Sequence, residues 1–524
     1  MTRYGPYTAA ALALAMATPA ATAIAGPSDA QITIGWAETV DTLNPATTGA
    51  RNVGPILANI FDTMIWLTPD FEIAPLLATQ WSVSEDGLTY TFDLREDVTF
   101  HDGEPFNAAA VVENIRYIKD EDTQSKISPG LLGPCASAEA VGEFQVTFTC
   151  TEPFAPFLTQ LGSPYLGIQS PKAIATHGAD LGQHPTGTGP FKFVSWEPNQ
   201  SVVVERFDDY NWMSPAVGHE GPAPIKKITF QIVPNPQSRV SQFQSGQSQI
   251  MQQTPGAYWK AFTASNQYQT MPVPISGMGI FAPINASKAP TDDLRVRQAI
   301  MHAVNIDGVI QLAEAGVYEP SRTPLSKGMV GYAPELADMY PHDLDKATAL
   351  LMEAGWEKLD GMWQKNGEPL TIELTAIATK AHYGAIAQAI QGYLREFGMD
   401  ASVAQLATPA WLAANVNGDI SMTPLQYVGV DPDLLHFWFL PDQYFNWSHW
   451  TDPELTKVIN NARTIQDVKA RTKAYQDAQR MIMENAVMLP IRENADLMTM
   501  SKSIDGVTHS GGGFQYFGAA SIKD

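Results

Sequence analysis

PLLATQWSVSEDGLTYTFDLREDVTFHDGEPF, residues 75–106, holds the clearest local signal in the chain. Leu88, Tyr90, Phe92 and Leu94 alternate with Thr89, Thr91, Asp93 and Arg95, a period of two that puts apolar groups on one face and polar groups on the other. Glu85-Asp86-Gly87 before this run and His101-Asp102-Gly103 after it are turn chemistry, because Asp and Gly tolerate the left-handed backbone that a reversal needs. The residues therefore predict a surface-lying strand between two tight turns. Such a strand suits many sheets, so the flanking sequence has to decide the fold.

Upstream, Gln31 to Trp36 reads as a strand, followed by Thr42-Leu43-Asn44-Pro45 and the polar loop Thr47-Thr48-Gly49-Ala50-Arg51, which leads into a helix through Phe61. Downstream, Asn107 to Tyr117 puts Val111, Val112 and Ile115 on one helical face. His184-Pro185-Thr186-Gly187-Thr188-Gly189-Pro190-Phe191 has closely spaced glycines, but Pro190 removes an amide donor and no Lys-Ser/Thr follows, which argues against a phosphate loop. Strands follow at Ser201 to Arg206 and at Ile228, Phe230 and Ile232. Asp292-Asp293 opens a helix carrying Val296 and Ile300. Asp345 can cap another that Gly355 closes, and a third runs from Tyr383 to Phe397 before Gly398. Leu370, Ile372 and Leu374 form the strand between the last two, and strands alternating with helices point to an α/β fold.

Residues 1–25 read as a secretory signal peptide: Arg3, the apolar run Ala9 to Ala17, and Ala23-Ile24-Ala25 as a cleavage site. The run is too short and too Ala-rich for a spanning helix, and no later segment is long and apolar enough. With no cysteine at the start of the mature chain there is no thiol for a lipid anchor, and a periplasmic location is expected. The formal charge is −23, or −24 once Arg3 is removed, which disfavours nucleic acid and anionic lipid as partners. The only cysteines, Cys135 and Cys150, lie symmetrically about Gly142-Glu143. If those two residues turn a hairpin, the cysteines fall opposite one another, and an oxidising compartment favours a structural disulfide over two free thiols.

Taken together, LATQWSVSEDGLTYTFDLREDVTFHDGEPF, the Leu-Asn-Pro after the first strand, the Gly-Thr-Gly-Pro-Phe segment, Asp208-Asp209-Tyr210-Asn211-Trp212, the Asp-Asp-Leu-Arg-Val-Arg-Gln-Ala-Ile helix and Asn446-Trp447-Ser448-His449-Trp450-Thr451-Asp452-Pro453 resemble solute-binding family 5, the peptide/nickel/opine class of ABC importers. The resemblance covers almost the whole mature chain. It implies a type II periplasmic binding protein of cluster C, two lobes joined by a hinge, with an extra subdomain in the N-terminal lobe. Lobe I would be 26–58, 186–275 and 494–524, the extra subdomain 59–185, and lobe II 276–493. It also implies a solute captured between the lobes, delivery to permease subunits in the inner membrane, a monomer, and no cofactor. Gln249 departs from the family, which places an acid there.

No H-e-x-x-H, G-x-S-x-G or C-x-x-C motif is present, so no catalytic residue is assigned. His436 and His449 lie near tryptophans, where a metal or haem is conceivable; core or solvated histidines fit their spacing better. Candidate ligand contacts are Thr48, Gly49 and Arg51 in the first loop, Gln426, Tyr427, Val428 and Gly429 in the Leu425 to Asp433 loop, and Tyr383, Trp411 and Trp438 as aromatic walls. Peptide-binding members carry an acid three places before the Asp-Pro of that loop, where it pairs with the peptide ammonium; here the position is Val428. Asp431-Pro432 reads as the cap and first residue of a helix. An ammonium buried without a counter-charge costs several kcal/mol, so ordinary peptides should bind poorly. The rival readings are a secreted hydrolase of peptides or glycans and a periplasmic chaperone.

Overall fold

Gln31–Trp36 buries Ile32, Ile34 and Trp36 on one side and is the central strand of a seven-stranded sheet. It runs parallel to Lys227–Ile232 on one flank and to Ile250–Met251 on the other. Outside these lie Ser201–Arg206 and Phe191–Glu197 on one side, Ala495–Ser501 and Tyr268–Pro274 on the other. The computed structural model describes residues 28–523, so the expected signal peptide lies outside the described residues. Helix Gly54–Ile60, with Pro55 in its first turn, covers this sheet through Ile56, Leu57 and Ile60. The C-terminal segment returns to the same core: Asn59 donates to the Gln515 carbonyl (3.1 Å) and accepts from the Phe517 amide (2.8 Å). Gln249, where the family resemblance leads one to expect an acid, serves as an acceptor: its Oε1 receives the Thr33 amide at 2.9 Å.

The alternating run forms strand Thr89–Leu94, with Tyr90, Phe92 and Leu94 buried. It is an inner strand of a four-stranded antiparallel sheet, between Ala78–Val83 and Gln145–Thr149, with Ser137–Ala140 beyond the latter. Helix Ala108–Lys119, capped by the Asn107 side chain, packs on this sheet. Cys135 and Cys150 form a disulfide. The register expected for them is corrected, however: Ser137 pairs with Thr149, and the Val141 amide bonds to the Gln145 carbonyl. The reversal therefore spans Gly142, Glu143 and Phe144, and the cysteines sit one position off direct opposition. The disulfide joins the backbone just beyond the last ladder pair.

A second core surrounds strand Gly277–Pro283, which lies between Leu425–Val428 and Met488–Arg492. Thr371–Ile377 and Asp400–Leu406 run parallel, connected by helix Ala381–Phe397, with Gly398 closing that helix at φ 103°. Asp293 caps helix Leu294–Ala303. Helix Leu344–Glu353 is capped by Asp343 and not by Asp345: the Asp343 side chain accepts the Lys346 amide, and Asp345 sits in the first turn, where its charge suits the helix dipole. The chain passes from the seven-stranded sheet to this second core between Pro274 and Gly277 and returns between Arg492 and Ala495. The two crossings touch where the Ile275 amide bonds to the Asn494 carbonyl at 2.8 Å. Among the described residues no helix is long and apolar enough to cross a membrane.

Candidate functional site

The returning crossing carries the polar residues Arg492, Glu493, Asn494 and Asp496, broken only by Ala495, and three of them, Arg492, Asn494 and Asp496, bond to residues around the two crossings. Arg492 donates from Nη2 to Glu314 Oε1 (3.0 Å), and its guanidinium stacks on Tyr318 at 3.7 Å from the ring centre. From Nη1 it donates to Asn494 Oδ1 (3.3 Å), and Asn494 in turn donates to Gln426 Oε1 (2.8 Å). Burial raises the Glu314 carboxyl pKa even against the opposing pull of Arg492. His382 is pushed down to about 4 by burial and by the charges of Arg492 and Lys380, so it is neutral at pH 7. Asp496 accepts from the Gln253 amide (2.9 Å) and Gln515 Nε2 (2.7 Å), and burial raises its pKa as well.

Arg51 reaches this region from the first core. Its Nη2 donates to the carbonyls of Gly512 (2.8 Å) and Gly513 (3.1 Å), and its guanidinium lies 4.3 Å from the centre of the Phe514 ring. Among the described residues Arg51 is in no ion pair. Gly513 has φ 71°, and a Cβ there would collide with the Pro274 carbonyl, so the turn that receives Arg51 is fitted closely to the outgoing crossing strand. From the second core, Val428 pairs with Gly277 and the Gly429 amide bonds to the Ser276 carbonyl (3.1 Å). Val430 reaches Gly512, where it stands 3.1 Å from the position a Cβ would occupy.

The structure thus gathers Arg51, Tyr383, Gln426, Tyr427, Val428 and Gly429 around the two crossings. Val428 is 38% exposed, while Tyr383 is buried. Thr48 is fully buried and donates to Asp41 Oδ1 (2.8 Å), a contact that shapes the loop. Gly49 is exposed beside Lys126. Trp438 packs behind Tyr427 at 5.4 Å between ring centres, and Trp411 donates to Thr423 Oγ1 (2.8 Å) and packs on Trp447. Both tryptophans lie inside an aromatic cluster and support the loop from beneath.

Asp431 requires a correction. The following helix starts at Leu434, and the Asp431 carboxylate is held by Arg471 through two bonds of 2.8 and 2.6 Å, both side chains buried, while Oδ1 also receives the Asp433 amide. Glu314, Tyr318, His382, Arg492, Asn494 and Asp496 were not found from the sequence. The polar run Arg492-Glu493-Asn494, with Asp496 just beyond it, is the signal that could have located three of them. His449 bonds to the Asn415 carbonyl (3.0 Å), and His436 is pushed down to about 4 by burial and Arg463. Among the described residues no three His, Cys, Asp or Glu side chains stand together as a metal site. Chemically, the region offers one arginine in no ion-pair contact, with the Asp496 charge near it, together with neutral donors and acceptors and aromatic surface, a set suited to holding an anionic group.

Comparison with known proteins places this geometry in a wider setting. The profile of the bacterial extracellular solute-binding proteins, family 5, matches residues 72–446. The nickel-binding periplasmic protein of Escherichia coli K12 is 30% identical over 487 residues, 90% of each chain. The glutathione-binding protein GsiB of Pectobacterium atrosepticum is 27% identical over 493 residues, 91% of each chain. Among solved structures, NikA from Brucella suis in complex with Fe(III)-EDTA superposes with a TM-score of 0.84 at 26% identity, covering 94% of this chain and all of that one.

Proposed function

This chain belongs to the bacterial extracellular solute-binding proteins of family 5, and from that premise we propose that it takes a small, carboxylate-bearing solute between two lobes in the periplasm and delivers it to the permease of an ABC importer. It binds and hands over its cargo without chemical change. We take lobe I as 26–58, 186–275 and 494–524, with 59–185 as its extra subdomain, and lobe II as 276–493. The two crossings at 275–276 and 493–494 support that division. A monomer suffices, since both walls of the cleft come from one chain.

The observation that carries the solute class is Arg51. Its guanidinium is fixed by two carbonyls and a ring and is in ion-pair contact with no carboxylate among the described residues, the charge of Asp496 reaching it only from beyond that distance, while the facing loop has Val428 where an ammonium would need an acid. An arginine so placed can hold a carboxylate by charge-assisted hydrogen bonds. The relatives named for glutathione and the neighbour holding Fe(III)-EDTA handle molecules rich in carboxylates, which agrees with this reading. Glutathione's ammonium lies beside its own carboxylate and so depends less on a protein acid.

Calorimetry with reduced glutathione, Fe(III)-EDTA and trialanine tests the proposal. One of the first two should bind, and Arg51→Ala should weaken that binding about tenfold or more, the worth of a hydrogen bond to a charged group. Trialanine should bind weakly to the wild type and better to Val428→Asp. Sub-micromolar binding of trialanine by the wild type, or unchanged affinity in Arg51→Ala, would overturn the assignment.

A further inference from the structure

Gln426 and Val428 leave strand Leu425–Val428 on the same face and both are exposed, while Leu425 and Tyr427 turn the other way into the aromatic cluster. Gln426 stands across Ile280 from Arg492, since Ile280 pairs with both in the three-stranded sheet. Asn494, two residues beyond Arg492, closes the gap: its side chain meets Arg492 on one side and Gln426 on the other. The row Arg492, Asn494, Gln426 is therefore set by the sheet and the strand leaving it.

Its polarity follows from one end. An arginine carries donors only, whereas each carboxamide has a donor end and an acceptor end. Arg492 Nη1 reaches Asn494 Oδ1 at 3.3 Å, so the Asn494 amide nitrogen is the end turned to Gln426, and it donates to Gln426 Oε1 at 2.8 Å. Gln426 Nε2 is thereby turned away from Asn494, and among the described residues its two N–H groups meet no acceptor. Arg492 cannot swing aside to release the row. It is 4% exposed, donates from Nη2 to Glu314 Oε1 at 3.0 Å and lies on the Tyr318 ring. Turning Gln426 over would set its amide against that of Asn494; turning both would set the Asn494 amide against the guanidinium. Either change opposes two donors at a buried position, so one orientation survives.

We propose that Arg492 and Asn494 form a polarity relay that fixes Gln426 as a hydrogen-bond donor to the solute, which presents an acceptor oxygen here, of a carboxylate or an amide carbonyl, besides the carboxylate assigned to Arg51. The inference rests on the reading of the crossings as the solute site. Gln426 is the specificity residue, and Asn494 and Arg492 are positioning residues that act through it. An ammonium at this point would meet two N–H groups and the apolar Val428. This wall thus selects against a cation by what it presents as well as by the acid it lacks.

Neutron diffraction from deuterium-exchanged crystals without added solute reads the relay directly. In the wild type the two deuterons on Gln426 should point away from Asn494. Asn494→Asp keeps the shape but offers only acceptors, so Gln426 should turn over, donate to the new carboxylate and present Oε1 instead. A wild type with the Gln426 amide turned to Asn494, or Gln426 in the wild-type orientation in Asn494→Asp, would overturn the relay. Calorimetry then reads the solute's side, with whichever of reduced glutathione, Fe(III)-EDTA and trialanine the wild type binds. Gln426→Ala, at an exposed position, should weaken binding about tenfold, the worth of a hydrogen bond to a charged group. Gln426→Glu should weaken it further, because a carboxylate then faces the solute's acceptor. Asn494→Asp should cost about as much as Gln426→Ala, and combining the two should cost little more, as expected for residues acting through one contact. Affinity unchanged in Gln426→Ala, or raised in Gln426→Glu, would overturn the donor role. Loss in the Gln426 variants with none in Arg51→Ala would uphold it and place the fault with Arg51. If none of the three probes binds, the diffraction result alone decides the relay.

Discussion

Asp62 shows how far one residue's setting can shift its chemistry. Its carboxyl is buried in the first core, where it receives Trp212 Nε1 (2.9 Å), Thr188 Oγ1 (3.0 Å) and the Tyr210 hydroxyl (3.2 Å), and among the described residues it has no cation in ion-pair contact. Burial outweighs the three donors and pushes its pKa up to about 7 from an ordinary 3.8. Between those values the folded protein keeps a proton that the unfolded chain releases, so stability falls as pH rises from about 4 to about 7 and then levels. Asp62→Asn cannot ionise. Its melting temperature should therefore fall less between pH 5 and pH 8 than that of the wild type, as thermal melts at the two pH values would show; parallel losses in both proteins would refute the argument. Sequence reading passed over Asp62 because an Asp after a helix looks like ordinary loop chemistry. Its partners lie more than a hundred residues away.

At the scale of elements, the alternating strand and the long helices were legible because their patterns are local. Tyr90, Phe92 and Leu94 bury as their period requires, and helix Ala381–Phe397 ends at Gly398. What failed depended on distant partners or on a single residue of turn length. Asp431 before Pro432 has the form of a helix cap, but Arg471, forty positions on, takes the carboxylate instead. The hairpin between the cysteines differs from its expected form by one residue, which shifts every pair across the ladder. The Asp431–Arg471 pair yields a prediction at this scale. Removing one member of a buried ion pair strands the other, at a cost of roughly 3–5 kcal/mol. Arg471→Met should lose about that much stability in urea unfolding, and adding Asp431→Ala should recover most of it. A double variant as unstable as the single would show that the arginine acts through packing against Tyr475, which lies 5.2 Å below it.

For the whole molecule, the division into two lobes came from family resemblance, whereas the contact between the crossings could not be read from any pattern, since Ile275 and Asn494 are unremarkable in sequence. What the crossings do join is the Gly511–Phe514 turn on one side and the Gln426–Gly429 loop on the other, both hydrogen-bonded or packed against the same crossing segment, 274–277. A solute held between Arg51 and that loop must therefore touch both bodies at once. Hydrogen exchange with and without a saturating binder, glutathione or Fe(III)-EDTA as calorimetry decides, should slow the amides of 511–514 and of 426–429 together. The Ile275 amide, already bonded to the Asn494 carbonyl at the crossing, should change little. Because binding to the folded state alone stabilises it by mass action, ligand at a hundredfold over its dissociation constant should add about 2.7 kcal/mol to unfolding stability. Slowing confined to one of the two segments, even with that gain in stability, would mean that the solute sits on a single lobe and that Arg51 and Val428 do not share a site.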